Sequence, residues 1–127
     1  MVKISNSKKL IFSLVVSLLL SGNAYARYIT VEMHLSAIST NNKSLQNIVK
    51  ERLEGAYYGF QTSNTELTSM KRKEIFCQPD KLGLNVDNLI RFLNDEIKLL
   101  RAKGANIDKF PIESILMNHL KKVFPCK

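Results

Sequence analysis

The chain has only two cysteines, Cys77 in Phe76-Cys77-Gln78-Pro79 and Cys126 in Phe124-Pro125-Cys126. Both lie far downstream of an N-terminal segment with the pattern of an export signal. Lys3, Lys8 and Lys9 form a positive stretch, and Leu10 to Leu20 is an apolar run broken only by Ser13 and Ser17. Ala24-Tyr25-Ala26 then supplies small residues where signal peptidase requires them. The apolar core is too short to span roughly 30 Å of hydrocarbon as an ordinary transmembrane helix, and no lipid-accepting cysteine follows it. Cleavage is expected after Ala26, leaving residues 27–127 as one exported domain with no stable membrane association. Thiols oxidise outside the cytoplasm, so a bridge between Cys77 and Cys126 would tie the middle of the chain to its last turn.

A mature chain of about 100 residues is one domain. It can bury a usable core, but a covalent staple still helps at that size. The formal charge of the whole chain is +8, and removing the three leader lysines lowers it to +5. A basic cytosolic protein would point to nucleic acid. For an exported one no nucleic-acid partner is expected, and the charge reads as an aid to solubility or a bias towards an acidic partner.

Hydrophobic periodicity predicts a small all-α antiparallel bundle of about four helices closed by one disulfide. Over 44–61, apolar residues from Leu45 and Ile48 through Leu53 and Tyr57 to Phe60 recur at three- and four-residue steps, with Ser44 as the expected N-cap. Gly55 and Gly59 lie four apart on that helix, and each costs about 1 kcal/mol of helix propensity, so they are expected to admit a closely packed second helix. The polar stretch 62–76 reads as the rest of this helix or as a solvated linker. A central helix over 86–103 is capped by Asn85. Val86, Leu89, Ile90, Leu93, Ile97 and Leu100 form its stripe, widened by Phe92 and Leu99, and Gly104 suits the left-handed position past its end. A last helix over 111–123 places Pro111 at its first position and His119 on its apolar face, and Pro125 stops it. Near the mature N-terminus, Val31, Met33, Leu35 and Ala37 alternate like a strand, while Val31, Leu35 and Ile38 fit a short helix capped by Thr30. With no strand elsewhere to pair with, the helix is the expectation.

In such a bundle the chain end after Val123 returns beside the segment that precedes helix 86–103, which brings Cys126 to Cys77. Closing a loop of about 50 residues stabilises by about 4 kcal/mol in the chain-entropy model. There is no Cys-x-x-Cys, and the spacing fits no zinc motif. No metal or cofactor is expected. The catalytic inventory is thin. His34 and His119 are the only histidines, and His119 reads as a partly buried, satisfied side chain rather than a general base. Asp95 and Glu96 are adjacent and therefore splay about 100° apart on a helix, unlike the facing carboxylates of a glycosidase. The run Lys71-Arg72-Lys73 reads as a solvated patch. No catalytic constellation emerges, and recognition of another macromolecule is the expectation.

The residues also carry a resemblance. A short helix at Thr30–Ile38 is followed by a helix ending Gly55-Ala56-Tyr57-Tyr58-Gly59-Phe60. Then come Phe76-Cys77-Gln78-Pro79, an amphipathic helix carrying Val86, Leu89 and Leu93, and a terminal Leu120-x-x-x-Phe124-Pro125-Cys126. In this order and spacing, across nearly all of 30–126, the chain resembles the Rap/Tai family of type VI secretion immunity proteins. The resemblance implies a helical periplasmic protein that binds and inhibits an injected peptidoglycan amidase, blocks its active-site cleft and often acts as a homodimer. It carries the family's disulfide onto Cys77 and Cys126. Ser39 stands where many relatives have a further cysteine, so no second bridge is implied.

The partner-binding residues first expected are those of the polar connector 101–110, namely Arg101, Lys103, Asn106, Asp108 and Lys109. The competing expectation is a small disulfide-bonded periplasmic stress chaperone that opens at acid pH. A periplasmic enzyme is the third.

Overall fold

A computed structural model describes residues 28–127. The expected signal segment and its cleavage position after Ala26 lie outside the described residues. The chain forms α1 (Val31–Ser39), α2 (Lys43–Ser69), α3 (Val86–Ala102) and α4 (Ile112–Val123). Among the described residues there is no strand beyond a single antiparallel bridge between Thr30 and Pro111. No helix among them is long and apolar enough to cross a membrane. The architecture is the expected all-α bundle, and the Cys77–Cys126 disulfide closes it.

The N-terminal ambiguity resolves as a helix, with Thr30 Oγ1 accepting from Met33 N at 3.3 Å. Its inward face differs from the expected Val31, Leu35 and Ile38. Val31, His34 and Ala37 are buried, and Ile38 is 48% exposed. The rotation is set from outside the helix: Val31 N donates to Phe110 O and Ile112 N to Ile29 O, both at 3.0 Å. That pairing fixes how α1 enters the bundle before its own stripe can choose.

Helix α2 is capped two residues earlier than expected, by Asn42 rather than Ser44; Asn42 Oδ1 accepts from Leu45 N at 3.1 Å. It also runs on to Ser69, so the polar stretch is helical in its first half. Thr62, Ser63, Thr65 and Thr68 each donate a hydroxyl to the carbonyl four residues back, which satisfies polar side chains inside a helix. Two expectations on this helix fail. Ile48 is 48% exposed. A Cβ built on Gly55 or Gly59 meets nothing within 4 Å, so neither glycine admits a close neighbour.

Helix α3 starts with the expected cap. Asn85 Oδ1 accepts from Asn88 N at 2.9 Å, and Asn88 Oδ1 accepts from Asn85 N at 3.1 Å. It ends in a Schellman turn: Gly104, at φ 78°, donates to Arg101 O, and Ala105 N donates to Leu100 O. Leu99 does not widen the stripe, since it is 42% exposed. In α4, Pro111 is the N-cap residue rather than the first helical residue. Helices α3 and α4 run antiparallel. Phe92 meets Phe124 with ring centroids 6.4 Å apart, and Glu96, one turn on, meets His119, about one turn back. The core between these helices and α2 is built on Leu53, Phe76, Leu93, Ile112, Leu116 and Leu120, none of them measurably exposed.

Glu96 is 1% exposed within this apolar seam. Asn118 Nδ2 donates to Oε1 at 2.6 Å, Lys122 Nζ donates to the same oxygen, and His119 Nδ1 donates to Oε2 at 3.2 Å. Burial pushes the carboxyl up, but the hydrogen bonds from Lys122 and His119, the Lys122 charge and the Asn118 bond outweigh it. Glu96 therefore titrates below the usual carboxylate range, and its charge clamps α3 to α4.

Two predictions follow from these contacts. Glu96→Gln should lower stability by about 2 kcal/mol at neutral pH, the scale of hydrogen bonds to a buried charge. In the wild type the unfolded chain takes up the proton before the folded one does, so stability should fall as pH drops below about 4. The variant should lose less over that interval, as thermal unfolding across pH will show. Gly55→Ala and Gly59→Ala should each raise stability by about 0.5–1 kcal/mol, since the added methyl meets open space, read as a shift of the urea midpoint.

Candidate functional site

Residues 70–85, between α2 and α3, carry Phe-Cys-Gln-Pro and form no helix or strand. Their path is set by side chains of α2. Asn64 is buried; its Oδ1 accepts from Ile75 N and its Nδ2 donates to Phe76 O, both at 2.8 Å. One amide thus satisfies two backbone groups of the incoming strand of chain, as buried backbone requires. Phe76 fills the core, and Cys77 N donates to Phe124 O at 2.8 Å. Beside that bond the cysteines lie with Cα atoms 4.9 Å apart, joined as a disulfide. Farther along, Tyr57 OH donates to Gln78 Oε1 at 2.7 Å, and Gln61 Nε2 reaches Tyr57 OH at 2.7 Å and Gln78 Oε1 at 3.1 Å. Gln78 Nε2 donates in turn to Leu82 O.

Between α2 and this pinned segment runs an open trough made of two adjoining depressions of about 500 Å³ and 400 Å³. Gln61, Gln78 and Asp80 line both and form the shared floor. One end is walled by Tyr57, Tyr58 and Leu82. The other is walled by Thr65, Thr68 and Glu74. Tyr58 is 63% exposed, with its ring centroid 6.1 Å from that of Tyr57. This polar and aromatic groove is the candidate recognition surface among the described residues.

The connector 101–110 is placed differently from a free loop. Arg101 pairs with Asp108, and Lys109 pairs with Glu32 of α1. The Glu32 ion pair raises the Lys109 ammonium above its ordinary value. Ile107 is buried beneath, and Asp108 O accepts from Glu32 N at 3.0 Å. Lys103 is the C-cap residue of α3 and Asn106 is exposed. The connector lies against α1, and the residues of the trough come from α2 and from 70–85.

The remaining polar groups serve the fold. His119 is largely buried and engaged by Glu96, with Phe92 stacked at 4.7 Å. His34 is buried, and its Nε2 lies 2.8 Å from Asn94 Oδ1. Potential ligand atoms of Glu74, Cys77 and Cys126 lie within 4.8 Å of one another, but both sulfurs are spent in the disulfide, which leaves one carboxylate. No family model, curated protein or solved structure matches this chain.

Sequence reasoning placed the disulfide but missed Asn64, Gln61 and Gln78 as its supports. Asn64 falls seven residues after Tyr57 on the buried stripe of α2, and Glu96 falls three after Leu93 and seven after Leu89 on that of α3. A polar residue at a core position is the signal in both cases.

Replacing both cysteines by Ser should lower stability by about 4 kcal/mol, the loop-closure term. Asn64→Ala, which strands two backbone groups, should cost about 2 kcal/mol with the bridge intact. Urea unfolding followed by circular dichroism checks both.

Proposed function

We propose that this chain is an exported, non-catalytic immunity-type protein that binds and occludes a peptidoglycan amidase delivered by type VI secretion, acting in the periplasm. The observation that carries the reading is a convergence. Three of the five pieces of sequence on which the Rap/Tai resemblance rests lie far apart in the chain, yet they meet around one feature. Tyr57 and Tyr58 of the glycine–aromatic helix wall the trough, Gln78 and Pro79 of Phe-Cys-Gln-Pro line it, and Phe124-Pro125-Cys126 anchors it through Cys77. Such a conjunction is what a binding scaffold needs, because a rigid groove loses little order on association.

Glu96 and His119 are adjacent, but the carboxylate is closed over by its own donors. A homodimer and an amidase are the partners this reading assigns, and the tied-down connector 101–110 stays a second surface through which the partner can be met. The buried charge of Glu96 is the observation on the side of an acid-opened chaperone. It holds one seam, α3 on α4, and no cluster of carboxylates joins it there.

The test is protection. The reading predicts that the adjacent gene encodes a type VI-associated amidase; cells lacking this gene should lyse when that amidase is directed to their own periplasm, and cells expressing the full-length gene should survive. Deleting residues 1–26 should abolish protection. Equal lysis with and without the gene would refute the reading.

A further inference from the structure

We infer that the trough between α2 and residues 76–84 takes an arginine side chain, presented by an extended segment of a partner polypeptide. The inference starts from which hydrogen-bonding groups the trough has left to offer. Most of its side-chain donors are engaged internally. Tyr57 OH donates to Gln78, Gln61 Nε2 donates to Tyr57 and Gln78, and Gln78 Nε2 donates to Leu82 O. The hydroxyls of Thr65 and Ser69 donate to backbone carbonyls of α2, and that of Thr68 lies between Asn64 O and the Glu74 carboxylate. Apart from the rim hydroxyl of Tyr58 and the second N–H of Gln78 Nε2, the open side-chain groups of the trough are acceptors: Gln61 Oε1 and the carboxylates of Asp80 and Glu74.

Charge points the same way. Asp80 and Glu74 line the trough and no basic residue does, although the whole chain carries a formal +8. Lys73 and Lys81 flank these acids in the chain without lining the trough, and neither acid takes part in a salt bridge among the described residues. An anionic ligand would meet acceptors and negative charge. A sugar would bring hydroxyls but leave both carboxylates without a counter-charge. A guanidinium brings a plane of N–H donors with positive charge, matches carboxylates in its plane, and stacks on aromatic faces. The exposed Tyr58 ring supplies such a face beside Tyr57. The two depressions together are far larger than one side chain, and their end-to-end arrangement fits several residues of extended chain at about 3.3 Å each.

The inference deepens the reading of this chain as a protein-binding module, and its test needs no amidase, so each can fail alone. Isotope-labelled protein, expressed from the full-length gene and purified as the cell processes it, is titrated with a blocked Gly-Arg-Gly peptide and followed by NMR. Saturable shifts should appear at the amides of Tyr57, Tyr58, Gln61, Gln78 and Asp80, with affinity of about 1 mM. The citrulline peptide, which keeps the shape and loses the charge, should bind at least about tenfold more weakly. Asp80→Asn should weaken the arginine peptide similarly while leaving the rest of the spectrum in place. Absence of saturable shifts at these amides, or equal affinity for arginine and citrulline, would overturn the inference. Free arginine amide binding as tightly as the peptide would overturn the extended-segment part of it.

Discussion

The structure depends on how residues 70–85 are fastened. A connection of that length with no secondary structure is uncommon inside a small domain, and here it carries Phe76 into the centre of the core. It is held by the Asn64 amide, the Cys77–Phe124 backbone bond, the disulfide beside that bond and the hydrogen bonds of Tyr57 and Gln61 to Gln78. They reach to α2 on one side and to the chain end after α4 on the other. The covalent link removes freedom from the unfolded chain, and the hydrogen bonds define where the loop lies once folded. Neither does the other's work.

Much of this was legible beforehand because it follows from local pattern. The caps at Thr30 and Asn85, the left-handed Gly104 and the apolar stripes of α3 and α4 are set by residues within a turn or two of each other. The disulfide was legible because two cysteines leave only one possible pairing within the chain. What was not legible depends on distant partners. His34 points inward because residues 29–31 pair with 110–112, and no periodicity within α1 encodes that. Gly55 and Gly59 looked like contact residues, yet face open space, since the spacing of two glycines does not say what lies opposite. The trough is equally hidden, because Gln61 and Gln78 read as ordinary surface amides until the loop places one against the other.

Three polar side chains are buried among the described residues: His34, Asn64 and Glu96. Each joins separate elements, His34 to Asn94 of α3, Asn64 to the loop, and Glu96 to α4. Each of these three side chains thus ties parts of the fold together, although His34 Nδ1 itself has no partner. That leaves function to the surface, where the trough differs from its surroundings in charge, in aromatic content and in having few side-chain donors to give. The tied-down connector 101–110 and the trough are built from different elements and form separate surfaces.

The central claim is that the trough fastened by this loop is the surface that meets the partner. Amide hydrogen exchange, measured on the protein alone and in complex with the type VI amidase it is proposed to bind, tests this most directly. The account predicts slowed exchange over residues 57–61 and 78–84 in the complex. Protection confined to other segments, with those amides unchanged, would contradict it.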